Sequence, residues 1–164
     1  MSIRTSDYPD IKKRSEELGL NVPTQIAFIP RNFVNAEKCV DLVHEASVST
    51  LRKLFRKKGL PESKLDPIDN KIPYCHENAF DWIAPFLFFG ASVISENPYV
   101  INIACGIIAS YITEFFKGIK RDPSVKLNII VETTKSKKTK KITYEGSIEG
   151  IDKFAEAVKE VARG

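Results

Sequence analysis

Val125, Leu127, Ile129 and Val131 alternate with Lys126, Asn128, Ile130 and Glu132, and Ile142 and Tyr144 resume the alternation beyond the polar interval Thr134 to Thr139. This period-two pattern restricts the fold more than any other feature, because it marks half-buried strands whose short polar connection makes them an antiparallel hairpin. Gly146 then releases the chain and Ser147 caps a helix on which Ile148, Ile151, Phe154, Ala155, Val158 and Val161 form one stripe. A ββα unit is therefore expected over residues 124–163. A two-stranded hairpin is marginal in water by itself. It needs helices to pack on and a further strand, supplied by Thr24–Ile29 or by another subunit.

Residues 79–116 are the most apolar part of the chain and divide at Ser95-Glu96-Asn97-Pro98, a helix-start signal with Asn97 as cap and Pro98 at the first position. The first half predicts a helix containing Phe80, Trp82, Ile83, Phe86 and Leu87, and the second a helix from Pro98 to Lys117 ended by Gly118. The second helix is apolar almost all round, so it is expected at the centre of the core. Gly106 and Ser110, one turn apart, predict its tightest contact, where Ser110→Leu is expected to cost about 1–3 kcal/mol by overpacking. The charge-free run Asn97–Thr113 falls short of a comfortable bilayer span and carries Asn102, Ser110 and Thr113, which favours burial over membrane insertion.

Nearer the N-terminus, Asp7 and Pro9 predict a short helix over residues 8–18, and Thr24–Ile29 a short strand ended by Pro30. Val40, Val43, Ser47, Leu51, Leu54 and Phe55 predict a longer helix capped by Asn35 and stopped by Gly59, and the proline-bearing stretch from Pro61 to Pro73 predicts a loop. The expected fold class is thus α+β. A helical N-terminal two-thirds with a central apolar helix precedes the hairpin and the C-terminal amphipathic helix. The chain reads as a single domain, 1–164, with parts at 8–60, 61–76, 77–118 and 124–163.

A chain of 164 residues with 43% hydrophobic and 28% charged residues can build a packed core without metal or disulfide staples. Its net charge of +4 favours anionic partners but is far below that of a dedicated nucleic-acid-binding domain. Three cysteines, an odd number without close pairing, suggest a reducing compartment. The opening MSIRTSDYPDIKKRSEE lacks the apolar core of a signal peptide. A cytoplasmic location is expected.

No catalytic, metal or cofactor motif emerges. His44 and His76 are the only histidines, Cys75-His76 is adjacent in sequence only, and no paired zinc ligands or phosphate-binding glycine loop is present. The expectation is a non-enzymatic protein with no cofactor and no small-molecule substrate. Two cationic groups stand out as candidate anion-binding residues: Lys135, Lys137, Lys138, Lys140 and Lys141 at the hairpin, and Arg52, Lys53, Arg56, Lys57 and Lys58 at the end of the preceding helix. They suit nucleic acid or an acidic lipid surface, although lysines at a hairpin also serve solubility and discourage strand pairing. Phe80, Trp82, Phe86, Phe88 and Phe89 offer more aromatic area than a small core easily absorbs. With Gly106 and Ser110 they are the candidate interface, core burial being the alternative for the aromatic set.

The succession of a small-residue-rich apolar helix, Asn97-Pro98 to Phe115-Phe116-Lys117-Gly118, followed by the hairpin and helix of Lys126 to Arg163, resembles small accessory proteins encoded beside effectors in prokaryotic conflict systems. The resemblance covers roughly the last 70 residues. It implies an adaptor or assembly component of a defence-type complex and transfers no functional residues. Self-association or a protein partner is the leading expectation, anionic-surface binding the second, and triggered membrane insertion of residues 82–117 the third.

Overall fold

The computed structural model describes residues 1–75, 84–118 and 124–164. Among these, the elements run β1 (Ser2–Asp7), α1 (Ile11–Glu17), β2 (Ile26–Ile29), α2 (Val48–Lys57), β3 (Phe86–Phe89), α3 (Ala91–Glu96), α4 (Val100–Phe115), β4 (Val125–Glu132), β5 (Thr139–Gly146) and α5 (Ile151–Ala162). Short 3₁₀ turns occupy Cys39–Asp41 and Ile148–Gly150. The strands form one sheet in the order β1-β5-β4-β3-β2, with β3 and β4 parallel and every other pairing antiparallel. Two parallel neighbours cannot be joined by a tight turn. The chain between them accordingly carries α3 and α4 across one face of the sheet.

The expected helical N-terminal two-thirds is overturned. Strands and helices are interspersed along the whole chain as a mixed α/β fold that begins with a strand, and β1, β2 and β3 all precede residue 90. The expected helix through Phe86 and Leu87 is instead β3. An unbroken apolar run has no periodicity to separate strand from helix. Its position between β2 and β4 decides the outcome, with Leu87 and Phe89 facing one layer and Phe88 the other. Phe80, Trp82 and Ile83 of that expected helix lie outside the described residues.

The hairpin of β4 and β5 and the helix after it form where the alternation places them, and β4 runs through the centre of the sheet. It is buried on both faces rather than one. Leu127, Ile129 and Val131 meet α2, α4 and α5, while Ile130 meets a second layer built from α1, Phe33, Leu42, Leu65 and Ile72. The strand beside β4 is β3, so the Thr24–Ile29 segment lies beyond β3 instead of joining the hairpin, and β1 closes its other side. At the joint between β5 and α5, buried Tyr144 stacks on Phe154 at 5.4 Å and donates its hydroxyl to the Ser147 carbonyl. Each such ring contributes about 1.5–3 kcal/mol by burial.

Two helix boundaries also shift. Asp7 belongs to β1, and the α1 cap is Asp10, whose carboxylate accepts from the amides of Lys12 at 2.9 Å and Lys13 at 3.3 Å. The helix expected from Asn35 starts only at Val48, because tertiary bonds claim the backbone ahead of it. The His44 amide donates to Pro73 at 2.8 Å, Cys75 donates to the His44 carbonyl at 2.9 Å, and Val43 donates to Asn32 Oδ1 at 3.2 Å. Val40, read as an apolar-face residue, is 71% exposed.

α4 contributes Val100, Ile101, Ala104, Cys105, Ile108 and Ile112 to the core, as its composition suggested. Gly106 and Ser110 lie on its other side. A Cβ built on Gly106 would meet nothing within 4 Å, so the expected tight contact there, and with it the overpacking cost of Ser110→Leu, is corrected. None of the described helices is long and apolar enough to cross a membrane. Of the helical pair expected over residues 82–117, the first member gives way among the described residues to β3 and α3, and the second stands as α4.

Candidate functional site

The two cationic groups separate into several environments. At the hairpin turn, Thr133 and Lys138 close the loop through Thr133 N–H to Lys138 O at 2.8 Å, and Lys137 adopts a positive φ of 56°. Thr134 N–H to Ala162 O at 2.8 Å ties this turn to the end of α5. Lys135, Lys137 and Lys138 are exposed at the tip. Lys140 is paired with Asp7, whose carboxyl is lowered by the hydrogen bond and charge of that lysine. Lys141 lies along the sheet face, its Nζ 5.9 Å from the centroid of the Phe86 ring. The five lysines therefore form no single patch.

In the helical group, Lys53, Arg56, Lys57 and Lys58 are exposed, but Arg52 is not available to a ligand. Its side chain is 7% exposed and donates to Glu62 Oε2 at 2.7 Å and Tyr74 Oη at 2.7 Å, with Asp66 Oδ1 at 3.5 Å. Burial works against the Arg52 charge, yet Glu62 and Tyr74 hold the guanidinium more firmly protonated than usual. Burial alone would raise Asp66. The His44 ring nitrogen at 3.9 Å, the Ile72 amide donating at 2.8 Å and the Arg52 charge hold it well below its ordinary value. This cluster fastens the proline-bearing loop to α2 and was missed in the sequence. A signal was present, since Arg52 falls beside Leu51 and three residues before Phe55 on the buried phase of its helix.

The candidate aromatic interface is likewise redistributed. Phe88 and Phe89 are 3% and 0% exposed inside the sheet, which corrects their assignment to an interface, and Phe86 is half-buried. Phe80 and Trp82 lie outside the described residues. Cys105 is buried on α4, where desolvation and then the Asp152 charge push its thiol up to about 12, far from a nucleophile's range at neutral pH.

A groove of about 860 Å³ lies between α2 and α4. Ile103, Ile107, Tyr111 and Leu54 supply its apolar wall, and Gly106 and Ser110 leave its floor low. Ile103 is 39% exposed on a helix whose other face is core. Lys57 and Lys58 stand on the α2 side and Glu114 on the α4 side. The groove thus offers apolar area bordered by both signs of charge. Comparison with protein-family models, curated proteins and solved structures returned no match, so geometry and chemistry alone carry the functional reading.

Proposed function

We propose that the protein is a non-enzymatic assembly component that pairs with a second copy of itself through the groove between α2 and α4. The observation that carries this reading is the apolar wall of exposed Ile103 and half-buried Ile107 and Tyr111 beside the small, exposed Gly106 and Ser110. Small residues one helical turn apart let an identical helix approach closely. A twofold arrangement also suits the charges, because the Lys57 and Lys58 rim of each copy can meet the Glu114 rim of the other. An accessory subunit of a prokaryotic defence-type complex is the form of assembly that the resemblance of the C-terminal part implies.

Sedimentation equilibrium at micromolar concentration tests the pairing: the parent is expected as a dimer, and Ile103→Glu and Ser110→Arg as monomers with unchanged helix content. A strictly monomeric parent overturns the proposal. A second reading, contact with an anionic surface, is supported by Lys135, Lys137 and Lys138, which stand exposed at the tip. Affinity for anionic vesicles that is unchanged in a Lys135→Ala, Lys137→Ala, Lys138→Ala triple variant removes it.

A further inference from the structure

A cleft of about 730 Å³ lies over one end of the sheet. Its floor is a row across four strands. The registers Arg4↔Thr143, Thr143↔Asn128 and Asn128↔Phe86 align these side chains on one face, and Lys141 follows in the next row opposite Ser6. Asn128 and Thr143 are 8% and 6% exposed, and the Thr143 hydroxyl donates to Asn128 Oδ1 at 2.7 Å. That bond occupies one lone pair of the amide oxygen. Among the described residues nothing accepts from Asn128 Nδ2, which opens onto the floor of the cleft.

A pair of polar side chains buried in a sheet face costs free energy unless each donor finds an acceptor. With none among the described residues, the acceptor for this amide is solvent or a ligand in the cleft. The charges around it point the same way. Arg4, Arg31, Lys126 and Lys141 line the cleft against the single carboxylate of Glu45, which Arg31 Nε holds at 2.8 Å. Arg4 and Lys126 share Glu145, itself outside the lining, and Lys141 has no carboxylate partner among the described residues. The lining is therefore rich in donors and net cationic. Phe86 and Phe116 add half-buried rings at its rim, and the volume falls in the range of small-molecule sites.

We infer that this cleft binds a mononucleotide-sized phosphorylated molecule, its phosphate received by Lys141, Arg4 and the Asn128 amide and its planar group by Phe86 and Phe116. Several donors converging from different strands match a multiply charged oxyanion. The aromatic rim matches a flat ring, which stacks without regard to its identity. The Arg4–Thr143–Asn128–Phe86 row lies on the sheet face opposite the α4 layer, Phe116 reaches the cleft from the end of α4, and the cleft shares no lining residue with the α2–α4 groove. Pairing and ligand binding therefore stand or fall separately.

Isothermal titration with adenosine monophosphate, adenosine and inorganic phosphate tests the assignment. Adenosine monophosphate is expected to saturate one site per chain, with adenosine and phosphate each at least about tenfold weaker, since each lacks one set of contacts. Lys141→Ala and Arg4→Ala should each weaken the nucleotide by about tenfold, the loss of one charge-assisted bond, whereas Lys138→Ala at the hairpin tip should leave it unchanged. Arg4 is exposed at the sheet edge, so its variant keeps the fold, and Asn128→Asp adds a repelling charge at the floor that should abolish binding. Absence of saturable binding at millimolar nucleotide overturns the inference. So does equal binding of nucleotide and bare phosphate, or an equal loss in Lys138→Ala.

Discussion

Replacing Arg52 by methionine separates a structural arginine from a ligand-binding one. Methionine keeps most of the apolar stem that packs near Phe28, whose ring centroid lies 5.9 Å from the guanidinium carbon. What disappears is the charge between Glu62 and Asp66, whose side chains are 14% and 8% exposed. The two bonds at 2.7 Å are of the charge-assisted or charged-donor kind, each contributing about 1.5–3 kcal/mol. Their loss also leaves two carboxylates in a poorly solvated pocket. Removing one partner of a buried pair costs about 3–5 kcal/mol, a large part of the 5–15 kcal/mol that stabilises an ordinary domain. Urea unfolding at neutral pH should therefore show Arg52→Met less stable by about 3–5 kcal/mol. The deficit should shrink as pH falls, because protonation of Asp66 breaks a favourable pairing in the parent and relieves an unpaired charge in the variant. Adding Glu62→Gln to Arg52→Met should recover part of the loss at neutral pH. A variant within about 1 kcal/mol of the parent, or a deficit independent of pH, would refute the argument and return Arg52 to the cationic surface.

Gly90 and Gly106 should respond oppositely to alanine. A Cβ on Gly90 would sit 2.3 Å from the Thr24 carbonyl oxygen, so Gly90→Ala must move backbone between β2 and α3 and should cost at least about 2 kcal/mol in a denaturant melt. Gly106→Ala enters open space on a helix and should be neutral or stabilising by up to about 1 kcal/mol. Asp66, held below its ordinary 3.8, contributes stability that is complete above that value and is lost as pH falls toward the folded-state value. Asp66→Asn should thus be less stable near neutrality by about 2 kcal/mol and show a shallower acid limb when unfolding midpoints are followed from neutral down to about pH 2. Tyr144→Phe should cost about 1 kcal/mol, a modest loss because the Ser147 carbonyl keeps the Gly150 amide at 3.2 Å, and thermal melts would expose a larger or absent effect.

The C-terminal part was readable because its signals are local. Alternation over Val125–Val131, the turn residues and the stripe from Ile151 to Val158 each state a period, and neighbouring segments agree on the outcome. β3 was not readable, since Phe86–Phe89 is apolar on every side and acquires its strand geometry from β2 and β4, the one about sixty residues earlier in sequence and the other forty later. The segment before Val48 carried a helical spacing that lost to bonds from Asn32, Pro73 and Cys75, partners with no local trace. The same contrast governs the surfaces. Gly106 and Ser110 were singled out correctly as small neighbours, but a spacing does not tell which side of α4 faces the core. The Arg4–Thr143–Asn128–Phe86 row was invisible because strand register assembles it from four distant stretches.

The pairing of β1 with β5 sets Ser2 opposite Glu145 and Asp7 opposite Lys140, so β1 is synthesised well before the strand it pairs with. Its side chains apart from Ile3 are exposed, which leaves the main-chain ladder as its principal hold on the sheet. During synthesis this stretch waits while the whole centre of the sheet is built. In kinetic terms the fold closes on its longest loop, a step whose entropy must be spent before the contact returns anything. Until then β5 presents an open edge, and β1 serves as the late-arriving cover that ends the molecule's capacity to add a foreign strand there.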